Sequence, residues 1–178
     1  MEGQIAKTGA ARMAESVHYS DDSLRGILRQ TRTIAMVGAS PSWVRPSNFA
    51  MKYLQGKGYR VVPVNPIAVG QEILGERIYG ALAEVPGPVD MVDIFRVSSA
   101  AGEAVDEAIA LKDRLGIKFI WLQLGVRHEE AARRARAAGL DVVMDRCVKI
   151  EYGRLFGELS WCGVNTGVIS SKRPKMHP

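Results

Sequence analysis

Cysteine and histidine are scarce in this chain: 178 residues hold 2 cysteines and 3 histidines. Cys147 and Cys162 form no CxxC pair and no disulfide framework, so a reducing, cytoplasmic setting is expected. His18, His128 and His177 group with no acid or cysteine in sequence, and no metal-ligand spacing is present. No apolar run approaches the roughly 20 residues that a bilayer span needs, so no membrane partner is expected. Residues 1–20 lack the apolar segment of a secretory signal and carry Glu2 and Glu15 among few bases. Both common glycine-rich nucleotide motifs, GxxxxGK[ST] and GxGxxG, are missing, as are internal repeats and low-complexity tracts.

The net charge is +5, with a pI of about 9.4, which favours anionic partners. The bases are scattered, however, and several alternate with acids on a helical stretch, as in Glu129-Glu130 ahead of Arg133-Arg134-Arg136. That pattern is a solvated face rather than a nucleic-acid stripe, so a small anionic ligand is the expected partner. At 47% hydrophobic residues the chain has the material for one good core. The expected organisation is a flexible N-terminal arm at 1–20, one domain at 21–160 and a basic tail at 161–178 that includes Lys172-Arg173-Pro174-Lys175.

The stretch Thr33–Ser47, TIAMVGASPSWVRPS, organises the rest. Ile34-Ala35-Met36-Val37 is a short apolar run without alternation, the mark of a strand covered on both faces. Gly38 follows, where the missing Cβ permits a sharp turn and a close ligand approach. Ser47 and Asn48 read as N-caps of a helix over about Ser47–Gly56. A strand, a small-residue turn and a helix N-terminus together form an anion site, because N–H groups and the helix dipole point into the same gap. Arg45 adds a positive charge beside it.

Other elements follow in alternation. A short helix opens at Asp21–Leu28, and a second strand covers Tyr59–Val64, with Pro63 removing one ladder donor. A long crossing, Ile67–Gly87, holds a short strand at Arg77–Tyr79 and a helical turn at Ala81–Val85. The third main strand is Val89–Val97, and Ser98 or Ser99 caps a helix over Ala100–Leu115. Lys118–Leu122 is the fourth strand, Glu129–Ala138 the next helix and Asp141–Met144 the fifth strand. No element is assigned beyond Cys147. This order predicts an α/β fold: a Rossmann-like, doubly wound, mainly parallel five-stranded sheet with helices on both faces.

Ligands of such sheets sit at the carboxyl ends of the strands. The residues there are Gly38-Ala39-Ser40, Asn65-Pro66, Phe95-Arg96, Gln123-Leu124-Gly125 and Asp145-Arg146-Cys147. Arginines in or after three of these turns suit a ligand with several phosphates. NAD fits poorly, because the second and third glycines of its turn are missing and Asn65 stands where an acid would hold the ribose diol.

The motifs VGASPSWVRPS, KYLQGKGYRVVPVNP, ILGERIY, VDMVDIFR, WLQLGV and DRCVKIE, in this order, resemble the small stand-alone CoA-binding proteins. Their fold is similar to the N-terminal CoA-binding domain of the succinyl-CoA synthetase α subunit. The resemblance spans roughly residues 21–155 and implies coenzyme A or acyl-CoA as cofactor. It places the diphosphate on Gly38, Ala39 and Ser40, with Ser40, Arg45 and Ser47 as phosphate partners. Asn65 and Pro66 then flank the adenosine, Phe95, Arg96 and Val97 line the adenine or ribose-phosphate side, and Gln123, Leu124 and Gly125 lie along the pantetheine. The ligase's phosphohistidine domain has no counterpart in this sequence.

Alternatives stand beside these roles. Arg96 could pair with Asp93 or Glu103 instead, and Phe119 and Trp121 read as core. Cys147 lies between Arg146 and Lys149, whose charges would lower its pKa. It is a candidate thiol partner for CoA, set against the reading of an inert, buried cysteine. His128 reads as a solvated helix-start residue. Without a base, nucleophile or metal set, no catalytic residue is assigned. The expected function is a non-catalytic CoA or acyl-CoA binder. A thiol-active enzyme or redox sensor and a regulatory domain for NAD or another nucleotide are its rivals. A second copy of the chain or a partner subunit stays open.

Overall fold

The computed structural model of the protein describes residues 18–158. Residues 1–17 of the expected arm, the basic tail and Cys162 lie outside them. The opening helix is α1 (Asp21–Gln30), capped by Ser20, whose hydroxyl accepts from the Ser23 N–H at 3.2 Å. Then come β1 (Thr33–Val37), α2 (Pro46–Gly56) and β2 (Arg60–Val64). A two-stranded antiparallel hairpin, β3 (Glu72–Ile73) with β4 (Glu76–Arg77), and a 3-10 turn at Leu82–Glu84 occupy the crossing. The chain continues through β5 (Met91–Ile94), α3 (Ser98–Leu115), β6 (Phe119–Leu122), α4 (Glu129–Ala137), β7 (Asp141–Val143) and α5 (Val148–Leu155).

Five strands form one parallel sheet in the order β2-β1-β5-β6-β7. This is the doubly wound α/β arrangement expected from sequence. After β2 the chain returns across β1, so the order reverses between β1 and β5. A crevice opens at their carboxyl ends, because the flanking connections leave on opposite faces.

Strand alternation divides the core into two layers. Ala35, Val37, Val92, Ile94, Ile120 and Leu122 pack toward α3 and α4. Ile34, Met36, Met91, Phe119 and Trp121 pack toward α1, α2 and α5. Asp93 follows Val92 and precedes Ile94, so its side chain stands on the second face, in register with Met36 and Trp121. Trp121 and Phe119 are core residues, as the sequence implies.

Several boundaries differ from the sequence reading. Arg45, not Ser47 or Asn48, is the N-cap of α2, because Pro46 at the first helical position, with its fixed φ, starts the helix earlier. Neither Ser98 nor Ser99 caps α3: Val97 occupies that position with no side-chain hydrogen bond, and the Ser98 hydroxyl instead accepts from the Arg127 N–H at 3.0 Å. The strand expected at Arg77–Tyr79 is displaced. Leu74 and Gly75, with φ of 51° and 82°, form a tight turn that pairs Glu76–Arg77 with Glu72–Ile73. Tyr79 instead bridges Val64. Pro63 is accommodated because β2 is an edge strand, where its carbonyl still accepts from Tyr79 N at 3.0 Å. The additional helix α5 packs against α1 and α2 on the second face, anchored by Arg154, which reaches Asp21 at 2.8 Å and Glu151 at 2.7 Å.

Candidate functional site

The β1–α2 turn is built around Gly38, whose φ of 87° favours glycine. Its N–H donates to Val64 O at 2.9 Å, and a Cβ at this position would lie 2.4 Å from Phe95 O. The turn is therefore squeezed between β2 and the end of β5. Ser47, buried inside the first turn of α2, accepts from the Ser40 N–H at 3.0 Å, and the Asn48 amide donates to Ser40 O at 3.3 Å. Asn65 ties in the other side: its amide donates to Ala39 O at 2.8 Å, while its carbonyl accepts from the Ile67 N–H at 3.0 Å. Both ends of that carboxamide hold the loop in shape, so Asn65 positions the turn from below.

Beside the turn, a cavity of about 640 Å³ opens at the carboxyl ends of β5 and β6. Pro46, Phe49 and Ala50 of α2 wall one side, and Cys147, Lys149 and Ile150 at the start of α5 wall another. Phe95, Arg96 and Val97 after β5 and Gln123–Val126 after β6 complete it. No side chain caps either α2 or α5, so the positive ends of two helix dipoles border an otherwise apolar space. A smaller cavity of about 130 Å³ lies on the other face, lined by Val37, Val64, Pro66, Arg96 and Glu103 among others. Arg96 borders both.

The β6–α4 loop is braced from several directions. Asp145 accepts from the Gly125 N–H at 2.8 Å through its side chain and donates its N–H to Val126 O at 3.2 Å, and Gln123 O accepts from Val126 N at 2.8 Å. Next to the loop, the Trp121 indole ties β6 to the β7–α5 turn by donating to Arg146 O at 2.7 Å. Beneath it, Gln123 Nε2 donates to Asp93 Oδ1 at 2.7 Å. Asp93 is fully buried, and its Oδ2 has no hydrogen-bond partner among the described residues. Burial pushes its carboxyl up to about 7, against the pull of the Gln123 hydrogen bond.

The residues nominated from sequence thus fall into three places. Gly38, Ala39, Ser40, Ser47 and Asn65 make up or brace the turn. Phe95, Arg96, Val97, Gln123, Gly125 and Cys147 line the large cavity, and Pro66 lines the small one with Arg96. Arg45 is exposed at the α2 N-cap. Among the described residues neither Arg45 nor Arg96 forms an ion pair, so Arg96 does not take Asp93 or Glu103 as its partner.

At Cys147 the neighbouring charges do not set the pKa, in keeping with the alternative of a buried cysteine. Burial raises its thiol pKa, and the negative Asp93 adds to the rise, outweighing the Ile150 and Lys149 amides and the Lys149 charge. His128 is half-buried as the N-cap of α4 rather than solvated, with its Nδ1 accepting from the Ala131 N–H at 3.3 Å. Sequence reasoning missed Lys149 and Ile150 as cavity walls because α5 is not legible in it, and missed Phe49 because an aromatic on the predicted α2 reads as helix packing. It also missed the role of Asp93, although an acid between Val92 and Ile94 in an apolar strand was a visible anomaly.

No cluster of metal-ligating side chains occurs among the described residues, and none of their helices is long and apolar enough to cross a membrane. The fold and the crevice at its topological switch define a doubly wound α/β ligand-binding domain. The family described as CoA binding domain matches residues 32–153, and the chain belongs to that family. A relative from Bacillus subtilis, the uncharacterized protein YneT, is 32% identical over 133 residues, covering 75% of this chain and 94% of its own. The solved structure of cell-free ID.343 from Thermus thermophilus is 40% identical with a TM-score of 0.72, covering 78% of this chain and all of its own. A dinucleotide-forming acetyl-coenzyme A synthetase 1 from Ca. Korarchaeum cryptofilum, solved with phosphate and ADP, is 26% identical with a TM-score of 0.54. That match covers 64% of this chain and 25% of the synthetase.

Proposed function

We propose that the protein binds coenzyme A or an acyl-CoA, and performs no chemistry on it by itself. The diphosphate lies at the Gly38–Ser40 turn and the α2 N-terminus, with Arg45 and Arg96 as its cations. The pantetheine arm enters the large cavity. The observation that carries this reading is the pairing of an apolar cavity of about 640 Å³ with an uncapped helix N-terminus at the topological switch. A polyanion joined to a long, mostly apolar arm matches both halves, and the family match supports the same ligand. NAD is disfavoured because the Asn65 carboxamide is already committed to Ala39 and Ile67.

Titration calorimetry of the nucleotide-stripped protein with CoA, NAD and ADP tests the reading. CoA binds in the micromolar range, well ahead of NAD, and its affinity falls with added salt. Arg45→Ala weakens CoA by more than about 1 kcal/mol, the scale of a charge-assisted hydrogen bond. Unchanged affinity in that variant removes Arg45 from the phosphate site.

Cys147 touches the same cavity, but its raised pKa keeps the thiol protonated near neutrality and argues against a redox role. Incubation with CoA disulfide at pH 7 therefore leaves Cys147 unmodified in intact-mass spectra. A stoichiometric adduct restores the thiol-active alternative.

A further inference from the structure

Gln123 lines the cavity yet is nearly buried, and the two ends of its carboxamide have different surroundings. Nε2 points down to the Asp93 carboxyl at 2.7 Å. Oε1 has no hydrogen-bond partner among the described residues, and it is not among their fully enclosed, unpartnered atoms. It therefore faces the cavity. The orientation is set by that bond: Asp93 Oδ1 accepts, and only the NH₂ end of the amide can donate to it. Apolar Met36 and Trp121 flank Asp93 on the neighbouring strands, and the only hydrogen bond its carboxyl makes among the described residues is the one from Gln123.

We propose that Asp93 is a positioning residue that sets the polarity of the cavity floor. It holds the Gln123 carbonyl oxygen toward the ligand, so that the floor accepts a hydrogen bond from a secondary-amide N–H on an otherwise apolar arm. The inference rests on the CoA reading, in which that arm is pantetheine with its two amide N–H groups. An isolated acceptor in an apolar wall selects strongly, because a ligand without the matching donor leaves it desolvated and unpaired.

The test measures CoA, 4′-phosphopantetheine and 3′,5′-ADP binding by calorimetry to wild type, Asp93→Leu, Asp93→Asn and Gln123→Met. Loss of the Asp93 acceptor in Asp93→Leu frees the amide to rotate and weakens 4′-phosphopantetheine roughly tenfold, the effect of one lost buried hydrogen bond. Binding of 3′,5′-ADP is unaffected, since it does not reach the floor. Asp93→Asn keeps an oxygen for Nε2 and recovers most of the loss. Gln123→Met, of similar shape but with no acceptor, reproduces the Asp93→Leu pattern and carries the test if Asp93→Leu does not fold. Equal weakening of both fragments, or undiminished phosphopantetheine binding in Gln123→Met, overturns the positioning role while leaving CoA binding intact. Failure of wild type to bind CoA overturns both readings together.

Discussion

Gly38→Ala is expected to lower the melting temperature by roughly 6–12 °C, corresponding to about 3 kcal/mol for a domain of this size. Two costs add at this position. A φ of 87° places a Cβ-bearing residue in the left-handed region, at about 1–2 kcal/mol. The new methyl group would also sit 2.4 Å from Phe95 O, a backbone atom at the end of a central strand that cannot swing aside. Relief requires the turn and the β5 terminus to part, which pulls Ser40 away from Ser47 and displaces Phe95 and Arg96 from the cavity wall. Loss of stability and a fall in CoA affinity on the order of tenfold or more are therefore coupled. Gly125→Ala is the internal comparison: its φ is 79°, but nothing lies within 4 Å of the added Cβ. It should show the backbone cost by itself, about 1–2 kcal/mol. Equal destabilisation of the two variants in thermal melts would show that the close approach to Phe95 is not what requires glycine at 38.

Asp93→Asn is expected to reverse its effect on stability with pH. In the unfolded chain this carboxyl titrates near 3.8, whereas in the folded protein burial lifts it to about 7. Between those values the folded state holds a proton that the unfolded state has released. Raising the pH through that window therefore costs the wild type stability, and above about pH 7 the loss is complete. The full shift corresponds to a scale of about 4 kcal/mol. Asparagine does not titrate, keeps an oxygen for Gln123 Nε2, and carries a fixed penalty of about 1–3 kcal/mol for an unpaired amide where Oδ2 stood. Near pH 4.5 the wild type is the more stable protein; near pH 8 the variant is. Urea denaturation at intervals between these limits checks the crossing. A stability difference independent of pH would mean that Asp93 ionises as freely in the folded protein as in the unfolded chain.

The sequence was most legible where backbone and burial set the pattern together. β1 reads directly because both its faces are covered, and the glycine after it reads directly because only a residue without Cβ makes that turn. Parallel order followed from helices alternating with strands, which demand crossovers. Less could be read where one residue type serves two purposes. Ser47 looks like a cap and is instead an acceptor inside the helix, because Pro46 had already fixed the start. Asn65 looks like a ligand contact, and its carboxamide also braces the turn, which no sequence pattern shows. The helix α5 is only eight residues long, so its periodicity is faint, and Lys149 and Ile150 as cavity walls are not legible without it. The choice between the two readings of Cys147 is not legible for a different reason: neighbouring charges are visible in a sequence, but the burial that outweighs them here is a property of the fold.

The two margins of the sheet differ from its centre in a way that bears on assembly. At one margin β2 contains Pro63, which offers no N–H, and Tyr79 occupies hydrogen-bonding positions on both sides of it through Pro63 O and Asn65 N. At the other margin β7 is only three residues long and begins with the exposed, charged Asp141. Among the described residues neither border gives an incoming strand a long row of free donors and acceptors, so the sheet resists extension by another chain. Contacts with a second molecule must then be made by helix faces or by the carboxyl end of the sheet. There Phe49, Val97 and Leu124, which line the large cavity, remain exposed. Any association through that rim would compete with, or respond to, what the cavity holds.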